Sequence, residues 1–394
     1  MPRGKDPLAL AAAAALLASG LAGCNLGDDS SRPPQLGAKS SDKEATAKLG
    51  FPAAATRNTI RVGGGDAAAD AAGVATALFP ATTESDRPTA VLLIDKDDWQ
   101  AAVTAATLSG SPIGAPMLLT DGGSVPPVTQ DTLDRLRPKG SDLSKDSQVI
   151  RIGRDVGRPS GFRSAVIEGD DPYERAAAID RFFSAAKGKP SGNVVIVSGE
   201  RAEWAVPAGA WAARASDSVL PVKRGSVPGP IRKALQEHDK PNVYVLGPEK
   251  VIGKGAIEQL KPLARRVQRI QGDTPVANAI AFARYEQDNF GWAVVVPGYN
   301  FTLANVNRPL DAAAAASLAT KGVFAPLLLT DQADELPRPL RSYFLSVQPG
   351  FEDDPGQAVY NRVWIIGDDK AISVREQAQV DHLTELVPVQ ANAP

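Results

Sequence analysis

The chain has 394 residues, 43% of them hydrophobic, and a formal net charge of −2. That is enough for two or three domains with their own cores, and too near neutrality for a global field to draw the protein to nucleic acid. A single cysteine and two histidines, His238 and His382, exclude an intramolecular disulfide and a thiolate zinc cluster and leave little for acid–base or triad chemistry.

In chain order, Arg3 and Lys5 precede a run of Ala and Leu from Leu8 to Leu17. This is the charged head and short apolar stretch of a secretory signal, too short to span a bilayer permanently. Leu21-Ala22-Gly23-Cys24 follows and is similar to the lipobox of bacterial lipoproteins, in which the Cys takes a diacylglycerol and becomes the new N-terminus. Residues 1–24 are therefore expected to be a lipoprotein signal peptide. Membrane lipid, through acylated Cys24, is the first expected partner, with the chain on the outer face of the cell membrane. Residues 25–55 are small and polar and read as a flexible linker.

The remainder repeats. Gly65-Asp66, Gly169-Asp170 and Gly272-Asp273 follow short apolar runs, their aspartates 104 and 103 residues apart. Pro116, Pro221 and Pro326 are spaced 105 and 105. Three units are expected, at 56–160, 161–264 and 265–386. In each, an opening strand leads to a helix, with Pro172 and Pro275 at first helical positions behind the caps Asp171 and Thr274.

Buried strands are expected next, at Val91–Ile94, Val194–Val197 and Val294–Val296. Ala-rich helices follow from Trp99, Trp204 and Leu310. A third strand comes around the marked prolines, then a helix after Val128, Pro230 or Pro339. Fourth strands end at Gly153, Gly247 and Gly367. The order β-α-β-α-β-α-β implies parallel sheets with right-handed crossovers. Gln348–Asn361 is an inserted loop.

Pro116-Met-Leu-Leu119 and Pro326-Leu-Leu-Leu329, the opening Asp170-Asp171-Pro172-Tyr173, and Asp311-Ala312-Ala313 resemble the bacterial cell-wall-binding repeat type 2 family. The resemblance runs from Thr56 to about Leu386. It implies an α/β fold of three tandem Rossmann-like or toprim-like parallel-sheet repeats around a pseudo-threefold axis, and non-covalent attachment to anionic, teichoic-acid-like or polysaccharide wall polymer. Where the family's opening motif carries Arg, this chain has Ala67, Asp171 and Thr274.

Candidate polymer contacts are few. Thr120-Asp121 and Thr330-Asp331 end third strands, where open α/β sheets bind ligands; capping of the next helix is the competing role. Lys223 and Arg224 stand at the same place in the second unit, with the charge an anionic polymer needs. Arg265, Arg266 and Arg269 form a dense basic cluster beside the second and third units, or else a solvated charge run.

Gly63-Gly64-Gly65 lacks a phosphate-loop lysine and reads as a tight turn. The charges of Asp95, Asp97 and Asp98 are not preserved around Ser198–Glu203 and Pro297–Asn300, so capping explains them better than metal binding. No cofactor, metal or catalytic residue is expected, and the chain reads as a binding protein and not an enzyme. A solute-binding lipoprotein of a transporter, or a scaffold that has lost polymer binding, is the alternative.

Overall fold

The computed structural model describes residues 53–320 and 326–389. The expected signal peptide, Cys24 and most of the linker lie outside them. Three parallel sheets dominate, with a short antiparallel edge on one. The first joins β3 (Val91–Asp95), β4 (Met117–Thr120), β5 (Val149–Ile152) and β6 (Ser164–Ile167) in the order β4-β3-β5-β6. The second joins β7 (Asn193–Ser198), β8 (Ser218–Val222), β9 (Asn242–Leu246) and β10 (Arg266–Ile270) in the order β10-β9-β7-β8. The third runs β1-β2-β14-β11-β12, from β1 (Ala53–Ala55), β2 (Thr59–Val62), β11 (Asn300–Asn305), β12 (Leu327–Thr330) and β14 (Arg362–Ile366), while β13 (Gly350–Phe351) pairs apart from it with β15 (Val387–Pro388). The central strands are apolar on both faces and fully covered, as parallel strands between helix layers must be.

Each opening strand belongs to the sheet of the unit before it. β6 pairs with β5, and β10 pairs with β9. β2, the first opening strand, pairs in parallel with β14 of the third unit, more than 300 residues away. The chain thus closes into a ring of three sheets, each completed by its neighbour.

The helix after each opening strand turns back onto its own unit. Ala67–Leu78 packs on β4, Pro172–Lys187 on β8 and Pro275–Arg284 on β12. Each also touches the second helix of the preceding unit: Pro309–Ala314, Trp99–Ala105 and Ala202–Ala205 respectively. The units therefore interlock through strand and helix alike.

The pseudo-threefold axis is lined by alanine. Ala106, Ala213 and Ala316 form a buried cluster of their own, one residue from each unit. A β-carbon placed on Gly209 would stand 3.2 Å from the Ala106 methyl and 3.5 Å from that of Ala316. Only small side chains let three backbones approach this closely, and that explains the alanine-rich runs.

Three expectations change. The second strand of the third unit is β11, not Val294–Val296, whose last two residues are exposed. Apolar content alone marked that run as a strand, yet it lies in the loop before β11. The proline marker is also out of register. Ile94 pairs with Leu119, Val197 with Pro221 and Ala304 with Leu329, so Pro221 sits inside a strand while Pro116 and Pro326 precede theirs. β8 is an edge strand, where a missing N–H is tolerated. Finally, the three N-caps are Asp66, Asp171 and Thr274, so Asp66 corresponds to Asp171 and not to Asp170.

Candidate functional site

The carboxyl ends of the parallel strands carry the loops that differ most in charge. A shared frame holds them. Asp95, Ser198 and Asn305 each accept a hydrogen bond from the backbone N–H two residues on, at 2.7, 3.1 and 2.9 Å. Asp98 caps the helix that follows by accepting from Ala101 N–H at 2.9 Å. The loop after the third strand is tied to the loop after the fourth by one bond in every unit: Gly157 N–H to Gly122 O, Gly253 N–H to Arg224 O and Ser373 N–H to Ala333 O.

Arginine braces the fourth-strand loop from beneath. Arg61, buried, donates to Gly367 O (2.8 Å), Asp368 O (2.9 Å), Ile372 O (2.6 Å) and the Gln377 side chain (2.9 Å). Arg269, its equivalent on β10, donates to Gly247 O and, at 2.8 Å, to Ile252 O. In the first unit Val166 fills that strand position, and Arg151 on the paired strand donates instead to Val156 O at 2.7 Å. The three brace residues satisfy loop carbonyls that would otherwise be orphaned.

The junctions between units carry a second recurring position, on the first turn of each opening helix. Asp70 accepts from Gly64 N–H, and Asn278 from Gly272 N–H. Arg175 donates to Gly169 O at 2.9 Å. Arg175 also pairs with Asp98 of the preceding unit at 2.8 Å. At the ring-closing junction the charges are exchanged: Arg308, equivalent to Asp98, stands 3.7 Å from Asp70, 2.8 Å from Asp311 and 3.3 Å from Asp368. Asp70 and Asp311 are both buried. Burial, then the neighbouring Asp311 carboxylate, pushes Asp70 up to about 8, and burial raises Asp311 as well.

The expected polymer contacts do not form one patch. Thr120 is buried and donates towards Ile94 O; Asp121 pairs with Lys96 at 3.0 Å. Both line a cleft of about 590 Å³ with Asp66, Asp131, Pro126 and Val128. Neither caps the next helix, which Pro126 precedes. Thr330 is buried, with its hydroxyl on Gln332 O, while Asp331 is exposed.

Lys223 and Arg224 are exposed at the carboxyl end of β8, with the Lys223 ammonium 5.7 Å from the Tyr173 ring centre. The arginine cluster scatters. Arg265 is exposed, Arg266 pairs with Asp288 at 2.9 Å and bonds the Tyr244 hydroxyl, and Arg269 points into the loop it braces. Arg265 and Arg266 sit at the amino end of β10, away from Lys223 and Arg224. Trp204 is buried, while Trp99 is partly buried against the main core. Sequence reasoning missed the brace arginines, the junction pairs, and Lys250 and Lys254 beside Arg224. Only the recurrence of Arg at 61 and 269 offered a signal.

Three interlocked parallel α/β units, with open clefts at the strand ends, define a tandem-repeat architecture. The chain belongs to the family of cell wall binding domain 2 (CWB2) proteins, which matches residues 166–258 and 269–375. Family membership associates it with the cell wall. Cwp6 from Clostridium difficile shares the fold at 18% identity and a TM-score of 0.64, over 86% of this chain and 49% of that one. Cwp8 from the same organism does so at 18% identity and a TM-score of 0.64, over 84% and 52%. The chain spans about half the length of either. No curated protein matches it.

Proposed function

We propose that this is an exported lipoprotein, held to the outer face of the membrane by acylated Cys24, whose three-unit body associates non-covalently with an anionic wall polymer of teichoic-acid-like or polysaccharide type. The observation that carries the reading is the closed ring of family-type units, which presents several rigid strand-end clefts to one extended ligand. Such a body acts by binding, and nothing in its charge pattern calls for catalysis. Among the candidate residues, Lys223 and Arg224 support polymer contact best, because they are exposed and oriented at a strand end. Arg266 and Arg269 are occupied within the fold. Two acyl chains would make the anchor stable, and the small polar residues after Cys24 would give the ring reach.

Cell fractionation tests both halves. Wild-type protein is expected in the membrane fraction and Cys24→Ala in the medium. The shed Cys24→Ala protein should then pellet with isolated walls at low ionic strength and be released as salt screens the charges. A Cys24→Ala protein that stays with membranes refutes the anchor. Failure to pellet at any salt concentration refutes wall binding.

A further inference from the structure

A cleft of about 640 Å³ opens in the second unit between the loops after β8 and β9, lined by Arg224, Gly225, Glu249, Lys250, Gly253 and Lys254. We infer that this cleft is an anion-binding site, taking a phosphate or carboxylate group of the ligand, so that the three units are not equivalent binders. The inference rests on the wall-polymer reading only for the natural source of that anion.

Charge argues for it first. Three cations line the cleft with one carboxylate, Glu249, which reaches only Lys254, at 3.7 Å, while Glu200 beside it is held on the Arg224 backbone N–H at 2.9 Å. Among the described residues no carboxylate lies within ion-pair distance of the Arg224 guanidinium, whose fork suits a phosphate or carboxylate. The Lys250 ammonium is steadied by Asp273 O at 2.7 Å and by the Trp204 ring, whose centre is 5.3 Å away. It keeps further donor capacity, since an ammonium has three N–H groups.

Rigidity argues second. Besides the Gly253 to Arg224 bond, Gln259 accepts from Val227 N–H and from Arg232, at 3.1 and 2.9 Å. A β-carbon on Gly255 would stand 2.7 Å from Gly225 O, so the first turn of the helix Lys254–Leu260 touches the loop after β8. An anion entering here meets donors already in place, which lowers the ordering cost of binding.

The other units supply the contrast. The same clasping bond joins the same loops in all three, yet the first unit offers Gly122 and Gly123 where the second has Arg224 and Gly225, Arg158 as its one cation free of an ion pair among the described residues, and an Arg154 already paired with Glu168 at 3.1 Å. The third offers Asp334, Asp368 and Asp369 beside Lys370 and Arg375, with Asp368 already paired with Arg308 at 3.3 Å. The excess of cations over carboxylates at these loops is greatest in the second unit.

The test uses the full-length chain, with glycerol phosphate and glucuronate as separate probes in calorimetric titrations, and isolated walls in pelleting. Arg224→Glu with Lys254→Glu should weaken binding of whichever anion the wild type takes by roughly tenfold or more without lowering the melting temperature, since both side chains are exposed. Lys370→Glu, the change at the place in the third unit equivalent to Lys250, should leave it within about twofold. The tighter probe identifies the source as phosphate or uronate. Anion binding unchanged in the double variant, lost equally in Lys370→Glu, or absent for both probes in the wild type overturns the inference. Wall pelleting of the wild type is read separately: its failure sinks the wall reading and leaves an anion site at Arg224 standing, whereas walls bound equally by wild type and double variant sink only the site.

Discussion

Two junctions of the ring solve one problem with opposite charges. Between the first and second units, Asp98 on the earlier unit meets Arg175 on the later unit's opening helix. Between the third and first, Arg308 on the earlier unit meets Asp70 on the later one. The remaining junction has Arg201 and Asn278 at these places, and Arg201 turns to Glu203 of its own unit at 2.6 Å. Geometry is thus repeated while chemistry is not. Were Arg175 to face Arg308, like charges would meet, so the opening helix of the second unit fits one partner and disfavours another. The ring-closing seam joins strands more than 300 residues apart, and there the arginine brace is heaviest: Arg61 makes four hydrogen bonds where Arg269 makes two.

The largest expected effect breaks that seam. Arg61→Ala leaves the carbonyls of Gly367, Asp368 and Ile372 without their donor, at a cost of about 3 kcal/mol or more by urea unfolding. Arg269→Ala should cost about half as much. Hydrogen exchange adds a sharper readout: in Arg61→Ala, the amides of β2 should lose protection before those of β6 or β10, because the seam opens locally. Equal losses for the two variants would mean that the seam is no different from the other junctions.

The next effect concerns the charge exchange. Asp98→Ala and Arg175→Ala should each cost about 1–2 kcal/mol, and a double-mutant cycle should give a coupling of roughly 1 kcal/mol for this largely buried pair. The reversed pair, Asp98→Arg with Arg175→Asp, should recover the ion pair but not the helix cap that Asp98 provides. Arg308, the N-cap residue at the equivalent place, makes no side-chain cap bond, so a deficit of about 1 kcal/mol is expected to remain. A reversed pair less stable than either alanine variant would show that polarity is fixed by surroundings and not by the pair.

The comparison also explains what could be read from the residues alone. The repeat, the helices that follow Asp171 and Thr274, and the fourth strands ending at Gly153, Gly247 and Gly367 were legible because apolar runs, caps and terminal glycines are local signals. Strand exchange between units was not. An opening strand has the same apolar pattern whether it pairs with its own unit or the previous one, and parallel pairing leaves no turn to mark the partner. Pro221 misled for a related reason: an edge strand tolerates a proline that a central one would reject, so an equal spacing concealed a shift in register. At the site, Arg269 read as a ligand contact because a loop carbonyl that needs a donor leaves no trace in the sequence. Asp95, Ser198 and Asn305 concealed their shared role, since three different side chains accept the same backbone bond.

The smallest effect is the most diagnostic, because it isolates the carboxylate pair that only the ring-closing junction possesses. Asp70 holds its proton up to about pH 8 in the folded chain, whereas an unfolded aspartate releases it near 4. Between those values the unfolded state binds fewer protons than the folded one, so stability falls as pH rises and levels off above 8. Glu376, pushed up to about 7 by burial, adds to the same trend over a narrower span. Asp311, Arg308 and Asp368 face Asp70 throughout, and Arg308 offsets part of the cost. Asp70→Asn places at this junction the residue that the third unit already uses, since Asn278 accepts from Gly272 N–H as Asp70 accepts from Gly64 N–H. The variant should therefore fold, match the wild type near pH 4, and exceed it at pH 8 by on the order of 1–2 kcal/mol, with a flatter dependence of melting temperature on pH. Parallel wild-type and variant curves would mean that Asp70 is ionised in the folded ring and that Arg308 alone satisfies both carboxylates.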